Sequence, residues 1–199
     1  MAEPDELYTL RAQYWLGHYT LALDEGRAAA RRPMPPHLKS EREEMIARCQ
    51  LALGQYDKVM ADGSASSNLA LQALAMHASY LSSAVEARQP IVDNLKVLIT
   101  SPEAAGNTSL QLTACHIFLL HNSLKDALQC VHLGLTMEHL AMCIQIYIKI
   151  DRLDLAKQSL ELLKQADEDS ILAQLGSAQL AISTGKSCAD DAVHMLMGL

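Results

Sequence analysis

The chain has 199 residues, half of them hydrophobic but only 4% aromatic, with a formal net charge of −7 and a pI of about 5.5. A core rich in Ala, Leu, Ile and Met suits close helix–helix packing better than strands, which favour β-branched and aromatic side chains. The acidic balance argues against a primary nucleic-acid binder, which needs a basic face to neutralise phosphates. No apolar run reaches the ~18 residues required to span a bilayer.

The opening MAEPDELYTL is acidic and lacks the apolar core of a signal peptide. A first helix pair is expected from near residue 5, with its turn at Gly17. The segment Arg31-Arg32-Pro33-Met34-Pro35-Pro36 cannot be helical throughout and is predicted to be a loop. Ser40-Glu41-Arg42-Glu43 reads as a capping box opening a second pair near residue 40, turning at Gly54. A third pair is expected near residue 68, with a degenerate turn between Ala84 and Pro90. Asn107 reads as the cap of a fourth pair beginning near 107, which gives the sequon Asn107-Thr108-Ser109 a structural use. A fifth pair is expected near 137 and a sixth near 170. In the stretch from Asp154 to Asp167, Leu155, Ala156, Leu160 and Leu163 share one face, while Lys157, Gln158, Glu161 and Lys164 share the other.

One pattern ties these pairs together: a turn-forming residue, a large residue two later and a small apolar residue three further on. It reads Gly17-x-Tyr19-x-x-Ala22, Gly54-x-Tyr56-x-x-Val59, Asn122-x-Leu124-x-x-Ala127 and Asp151-x-Leu153-x-x-Ala156. A looser copy runs from Gly185 to Ala192. The starts at 17, 54, 122, 151 and 185 are spaced by 37, 68, 29 and 34 residues, and 68 is two periods of the 34-residue tetratricopeptide repeat. The turn residue reverses the chain, the large residue packs back on the first helix, and the small residue sits where the helices cross. The predicted fold is all-α: a right-handed α-solenoid of about six tetratricopeptide-like antiparallel helix pairs. It forms a single domain over residues 1–199 whose last repeat is incomplete. Ala192, Met195, Leu196 and Leu199 are expected along one uncovered face at its end.

Few residues suggest chemistry. Cys49, Cys115, Cys130, Cys143 and Cys188 show no CxxC spacing and read as reduced thiols without disulfides. His139 and Cys143 stand at i and i+4 and could share a metal, but a closed tetrahedral site needs two more ligands and none is suitably spaced. Cys115-His116 and Cys130-x-His132 could pair a thiol with a base, yet helical geometry points such neighbours apart. There is no Walker loop, GxGxxG, GxSxG or HExxH. The expectation is a protein without catalysis, metal or cofactor. Arg27, Arg31, Arg32, Lys39 and Arg42 surround the proline loop, but Asp24, Glu25, Glu41, Glu43 and Glu44 surround it equally. A solvated loop is the plain reading of that segment, with lipid headgroups or an acidic partner as the alternative. Capture of a C-terminal carboxylate is disfavoured, because the helix from about 138 to 150 offers only Lys149.

The second half carries a family resemblance. Asn107-Thr108, His132-x-Gly134, Glu138-x-x-Ala141-Met142 and Gln145-Ile146 lead into Asp151-Arg152-Leu153-Asp154-Leu155-Ala156. Gln165-x-Asp167-Glu168-Asp169, Leu172-x-Gln174-Leu175 and Thr184-Gly185 follow. Together with Asp5-Glu6-Leu7, Leu16-Gly17-x-Tyr19 and Glu41-Arg42, this series resembles the epsilon subunits of coatomer, the coat of COPI vesicles. The resemblance is strongest over 107–185 and weak over 24–39. It implies a non-enzymatic scaffold subunit in Golgi-to-ER and intra-Golgi transport, cytoplasmic and peripheral on Golgi membranes and COPI-coated vesicles. It also implies repeats that embrace the C-terminal domain of the alpha coat subunit, and two or three further repeat pairs in the family's usual length. A tetratricopeptide adaptor or co-chaperone of another complex is the alternative.

Setting Asp151 at the repeat's turn position places Leu140, Cys143, Ile144 and Tyr147 in the core. Glu138, Ala141, Gln145 and Ile148 then fall on an inner wall, and the same rule from Asn122 adds Leu112, His116 and Leu119. The stretch from His139 to Ile150 is apolar almost all round, as expected of a helix covered on every side. An uncovered remainder centred on Leu112, Leu119 and Ile148 is expected to receive a partner. The plain alternative is a closed superhelix that buries this wall against itself.

Overall fold

The computed structural model describes residues 5–185 and Val193; among them every regular element is helical. The helices are α1 (Tyr8–Trp15), α2 (Tyr19–Ala29), α3 (Pro36–Ala52), α4 (Tyr56–Ser64), α5 (Leu69–Ser82), α6 (Arg88–Thr100), α7 (Thr108–Leu120), α8 (Leu124–Val131), α9 (Met137–Lys149), α10 (Leu153–Ala166) and α11 (Ile171–Thr184). Short 3-10 turns occupy Val85–Ala87 and Pro102–Ala104. They form five consecutive pairs, and α11 opens the expected sixth. The looser repeat copy after Gly185 and the face of Ala192, Met195, Leu196 and Leu199 lie outside the described residues.

Four pairs close through the same backbone device. Gly17, Gly54, Asn122 and Asp151 adopt φ of 80°, 75°, 61° and 59°. At each, the left-handed residue's N–H bonds three residues back and the next N–H bonds five back. The second bonds run from His18 to Gln13, Gln55 to Gln50, Ser123 to Phe118 and Arg152 to Tyr147, at 2.8–2.9 Å. This double closure satisfies carbonyls that a helix end otherwise leaves bare. The small residues of the pattern, Ala22, Val59, Ala127 and Ala156, are all fully or almost fully buried where the paired helices meet. The third pair, α5 and α6, departs from the pattern. Ser83 and Ala84 are extended and a 3-10 turn leads into α6, which matches the degenerate turn expected there.

The first helix of each later pair begins on a polar cap. Asn68, Asn107, Thr136 and Ser170 accept a hydrogen bond from a backbone N–H in the first turn of α5, α7, α9 and α11. The second pair is different, and the capping box expected at Ser40 does not exist. Helix α3 starts four residues earlier, with Pro36 at its first position and Pro35 extended before it. Proline suits that position because its missing N–H has no partner there in any case. Ser40 lies inside α3 and bonds to Glu44 instead.

The backbone divides into two compact units, Met1–Ala105 and Gly106–Leu199. In the first, Leu7, Leu10, Ala22, Leu23, Ala29, Met34, Met45 and Cys49 form one core, with Tyr14, Leu38 and Ile46 packed against it. Ala47, Val59, Leu74 and Ala78 form a second, bordered by Leu51, Tyr56, Met60 and Leu71. Polar links join successive first helices. Arg11 of α1 grips Glu41 of α3 with two hydrogen bonds of 2.6 and 2.9 Å. The Asn68 side-chain amide donates to Glu44 and Ser40 of α3 at 2.8 and 3.0 Å while its oxygen caps α5.

In the second unit α9 packs against α7, α8, α10 and α11. Its core holds Leu110, Ala114, Ile117, Phe118, Val131, Ile144, Ile146 and Leu163, all fully or almost fully buried. The amphipathic reading of α10 holds for Ala156, Leu160 and Leu163, which are buried, and for Lys157, Gln158 and Glu161, which are exposed. Several residues of the stretch Asp151 to Ala156 have structural tasks. Asp151 reverses the chain, Arg152 clasps Asp154 with two bonds of 2.9 and 2.7 Å, and Ala156 is buried.

Candidate partner-binding wall

The residues expected on the inner wall come from α7 and α9, the first helices of two successive pairs. On α9, Glu138, Ala141, Gln145 and Ile148 fall at spacings of three, four and three, which keeps them on one face. All four are half-buried. On α7, His116 and Leu119 are half-buried as well, but Leu112 is only 4% exposed. That corrects the expectation for Leu112, which lies within the packed interior of the unit and offers almost no surface. The core is also set differently from expectation, which named Leu140, Cys143, Ile144 and Tyr147. Cys143 and Ile144 are buried as expected, Leu140 and Tyr147 are half-buried, and His139, Met142 and Ile146 are buried beside them. A helix sandwiched between four neighbours buries more of its circumference than the repeat pattern alone assigns.

His139 and Cys143 do not converge on a metal. The His139 Nε2 lies 3.0 Å from the carbonyl oxygen of Thr108, and the Cys143 thiol donates to the carbonyl of Val131 at 3.2 Å. The Cys143 thiol and one ring nitrogen of His139 are thereby engaged with backbone from other elements. Among the described residues, no group of three His, Cys, Asp or Glu side chains is arranged to hold a metal ion.

The four described thiols sit in surroundings that favour the protonated form. Burial denies the thiolate its water and pushes Cys49 and Cys143 up to about 11 and Cys130 to about 12. Cys115 is raised further still, by burial first and then by the neighbouring Cys130 and Cys143. A catalytic cysteine requires the opposite environment, one that stabilises the anion. His132 is turned to the carbonyl of Gln129 at 2.9 Å, on its own side of the chain. Cys49, Cys115, Cys130 and Cys143 are free thiols, and Cys188 lies outside the described residues.

Some surface apolar residues escaped the sequence reading. Leu120 and Ile150 are exposed at the ends of α7 and α9, and Leu133 and Leu135 flank Gly134 in the α8–α9 connection. Their signal was present in the sequence, as large aliphatic residues within two positions of Asn122, Gly134 and Asp151, where helical periodicity has already ended. Among the described residues, no helix is long and apolar enough to cross a membrane.

A known structure shares this fold. A thermophilic tetratricopeptide protein of Thermus thermophilus superposes with a TM-score of 0.56 at 21% identity, covering 92% of this chain and 99% of that one. This likeness shows the fold, an α-solenoid of the tetratricopeptide type. Coatomer subunit epsilon-1 of Arabidopsis thaliana is 34% identical over 191 residues, 94% of this chain and 63% of the plant protein. Coatomer subunit epsilon-1 of Oryza sativa is 33% identical over 94% of this chain and 63% of its own length. Coatomer subunit epsilon of Dictyostelium discoideum is 29% identical over 92% and 62%. The chain thus spans a little under two thirds of the length of these relatives. The coatomer epsilon subunit model matches residues 3–199, so the chain belongs to the coatomer epsilon subunit family.

Proposed function

We propose that this chain is a structural scaffold of the COPI coat that binds the C-terminal domain of the alpha coat subunit in Golgi-to-ER and intra-Golgi transport. On this reading it is not an enzyme, is cytoplasmic, and reaches Golgi membranes and COPI-coated vesicles only through the coat. Membership of the coatomer epsilon family over residues 3–199 is the observation that carries it. The chemistry of the described side chains supports it. The buried thiols are raised away from reactivity, and the one buried histidine of α9 is bonded to backbone.

The partner-facing residues on this reading are His116, Leu119, Glu138, Ala141, Gln145 and Ile148, with Leu112 supporting them from within. These half-buried positions mix apolar and polar groups, the composition of a protein-binding face with a hydrophobic centre and a polar rim. Fully burying one Leu or Ile contributes roughly 1.5–3 kcal/mol. Co-expression of the chain with the alpha subunit's C-terminal domain, followed by titration of the purified partners, tests the reading. Leu119→Asp with Ile148→Asp is expected to weaken binding at least ~tenfold while helicity is retained. Unchanged affinity would place the interface on another face, and absence of any complex would remove the alpha subunit as partner.

A further inference from the structure

We infer that the exposed cationic segment from Arg27 to Lys39 is a docking site for an acidic segment of a partner protein. Between Gly26 and Ser40 the chain carries four of its 16 Lys and Arg and none of its 23 Asp and Glu. The remainder therefore holds 12 cations against 23 carboxylates. In sequence, acidic residues flank this stretch on both sides and balance it. In space they do not.

Glu41 accepts two hydrogen bonds from Arg11 of α1. Glu43 pairs with Arg42 at 3.6 Å. Glu44 is buried and accepts from Asn68 and Ser40. Among the described residues, what reaches the segment is two long contacts of 3.4 Å, Asp24 to Arg27 and Glu6 to Arg32. Arg31 and Lys39 are exposed and make no ion pair among the described residues.

The segment is held in place before any partner arrives. The N–H groups of Arg31 and Arg32 bond back to the carbonyls of Ala28 and Ala29. Met34 is buried in the first core, and Pro33, Pro35 and Pro36 restrict the backbone on either side of it. Cations presented on a fixed backbone lose little entropy on binding. They also work against their own helix. The first turn of α3 carries no acidic residue and no side-chain cap, while Lys39 sits where a positive charge opposes the helix dipole. A local preference broken without internal compensation marks a surface kept for another purpose.

An acidic protein segment fits this surface better than a lipid bilayer. Met34 is turned inward and Leu38 packs against the core, so no large apolar side chain of the loop is free to insert between lipids. The net negative charge of the rest of the chain is repelled by an anionic membrane, whereas a narrow acidic peptide meets only the cations.

The test titrates the full chain with an oligoglutamate peptide. Binding is expected at low salt and should weaken at least ~tenfold towards physiological salt, as exposed charge pairs are screened. Arg31→Gln with Lys39→Gln should weaken it at least ~tenfold further with an unchanged or raised melting midpoint. Lys125→Gln with Lys157→Gln, which removes the same charge elsewhere, should leave affinity unchanged. The proposal is overturned by no binding to wild type at low salt, or by equal loss in both double variants. It is also overturned if the chain co-sediments with phosphatidylserine vesicles but does not bind the peptide.

Discussion

The Nε2 of His139 lies 3.0 Å from the carbonyl oxygen of Thr108, 31 residues earlier. One residue sits in the first turn of α9 and the other begins α7, so the contact pins the starts of two successive first helices. His139 is 1% exposed and its Nδ1 has no partner, which assigns the proton to Nε2 as the donor. His139→Ala removes the donor and leaves a cavity, and is expected to destabilise the second unit by about 2–4 kcal/mol. Urea unfolding measures it; a loss below about 1 kcal/mol would mean the contact is not formed in solution.

The left-handed turns predict opposite outcomes at one kind of position. Asn122 and Asp151 hold φ near +60°, a conformation that L residues adopt at a penalty of about 1–2 kcal/mol and glycine freely. Asp151→Gly should raise the thermal midpoint, with the Arg152–Asp154 clasp intact. Asn122→Val should lower stability by about 1–2 kcal/mol, because a β-branched side chain fits that region worst. Equal midpoints for wild type and Asn122→Val would refute the turn geometry.

Two helical glycines separate backbone contact from side-chain contact. A methyl on Gly63 would meet the Leu71 carbonyl oxygen at 2.5 Å and the Ala75 Cβ at 2.7 Å, neither of which can step aside. A methyl on Gly176 would meet the Ile144 Cδ1 at 3.1 Å, the far end of a flexible chain. Gly63→Ala is expected to cost about 2–3 kcal/mol. Gly176→Ala should be close to neutral, since the helix gains roughly 1 kcal/mol from alanine. Denaturant midpoints of the two single variants decide the order, and the reverse order would sink the packing argument.

The buried thiols set an alkaline limit. A thiol whose folded value lies above its ordinary value keeps its proton longer in the folded chain than in the unfolded one. That stability is complete below the ordinary 9.0 and is lost as pH rises towards the folded values of about 11 for Cys49 and Cys143 and about 12 for Cys130. The urea midpoint should therefore fall steadily above pH 9.0. In a Cys130→Ser, Cys188→Ser background, which leaves the buried Cys49, Cys115 and Cys143, an aromatic disulfide reagent at neutral pH should label the native chain no faster than it unfolds. Rapid labelling of all three remaining thiols would show that they are not sheltered.

What the sequence determined by itself was the repeat. Reversing the chain in two or three residues demands Gly, Asn or Asp, and crossing two helices closely demands Ala or Val. Both requirements are local, so they leave fixed spacings that can be read, and Gly17, Gly54, Asn122 and Asp151 stand where those spacings put them. Asn107 as a cap is legible for the same reason. Tertiary structure alone decided the rest, because it depends on groups distant along the chain. Ser40 looked like a cap until Pro36 opened the helix earlier and Asn68, 28 residues away, claimed its hydroxyl. Leu112 looked available until the packing of the second unit buried it. The charges around the proline loop balanced in sequence, but Arg11, 30 residues from Glu41, takes that carboxylate and leaves Arg31 and Lys39 without an ion pair among the described residues. Periodicity records what each helix must do to pair with its neighbour, whereas the partner of a given charge or imidazole is fixed only when distant segments meet.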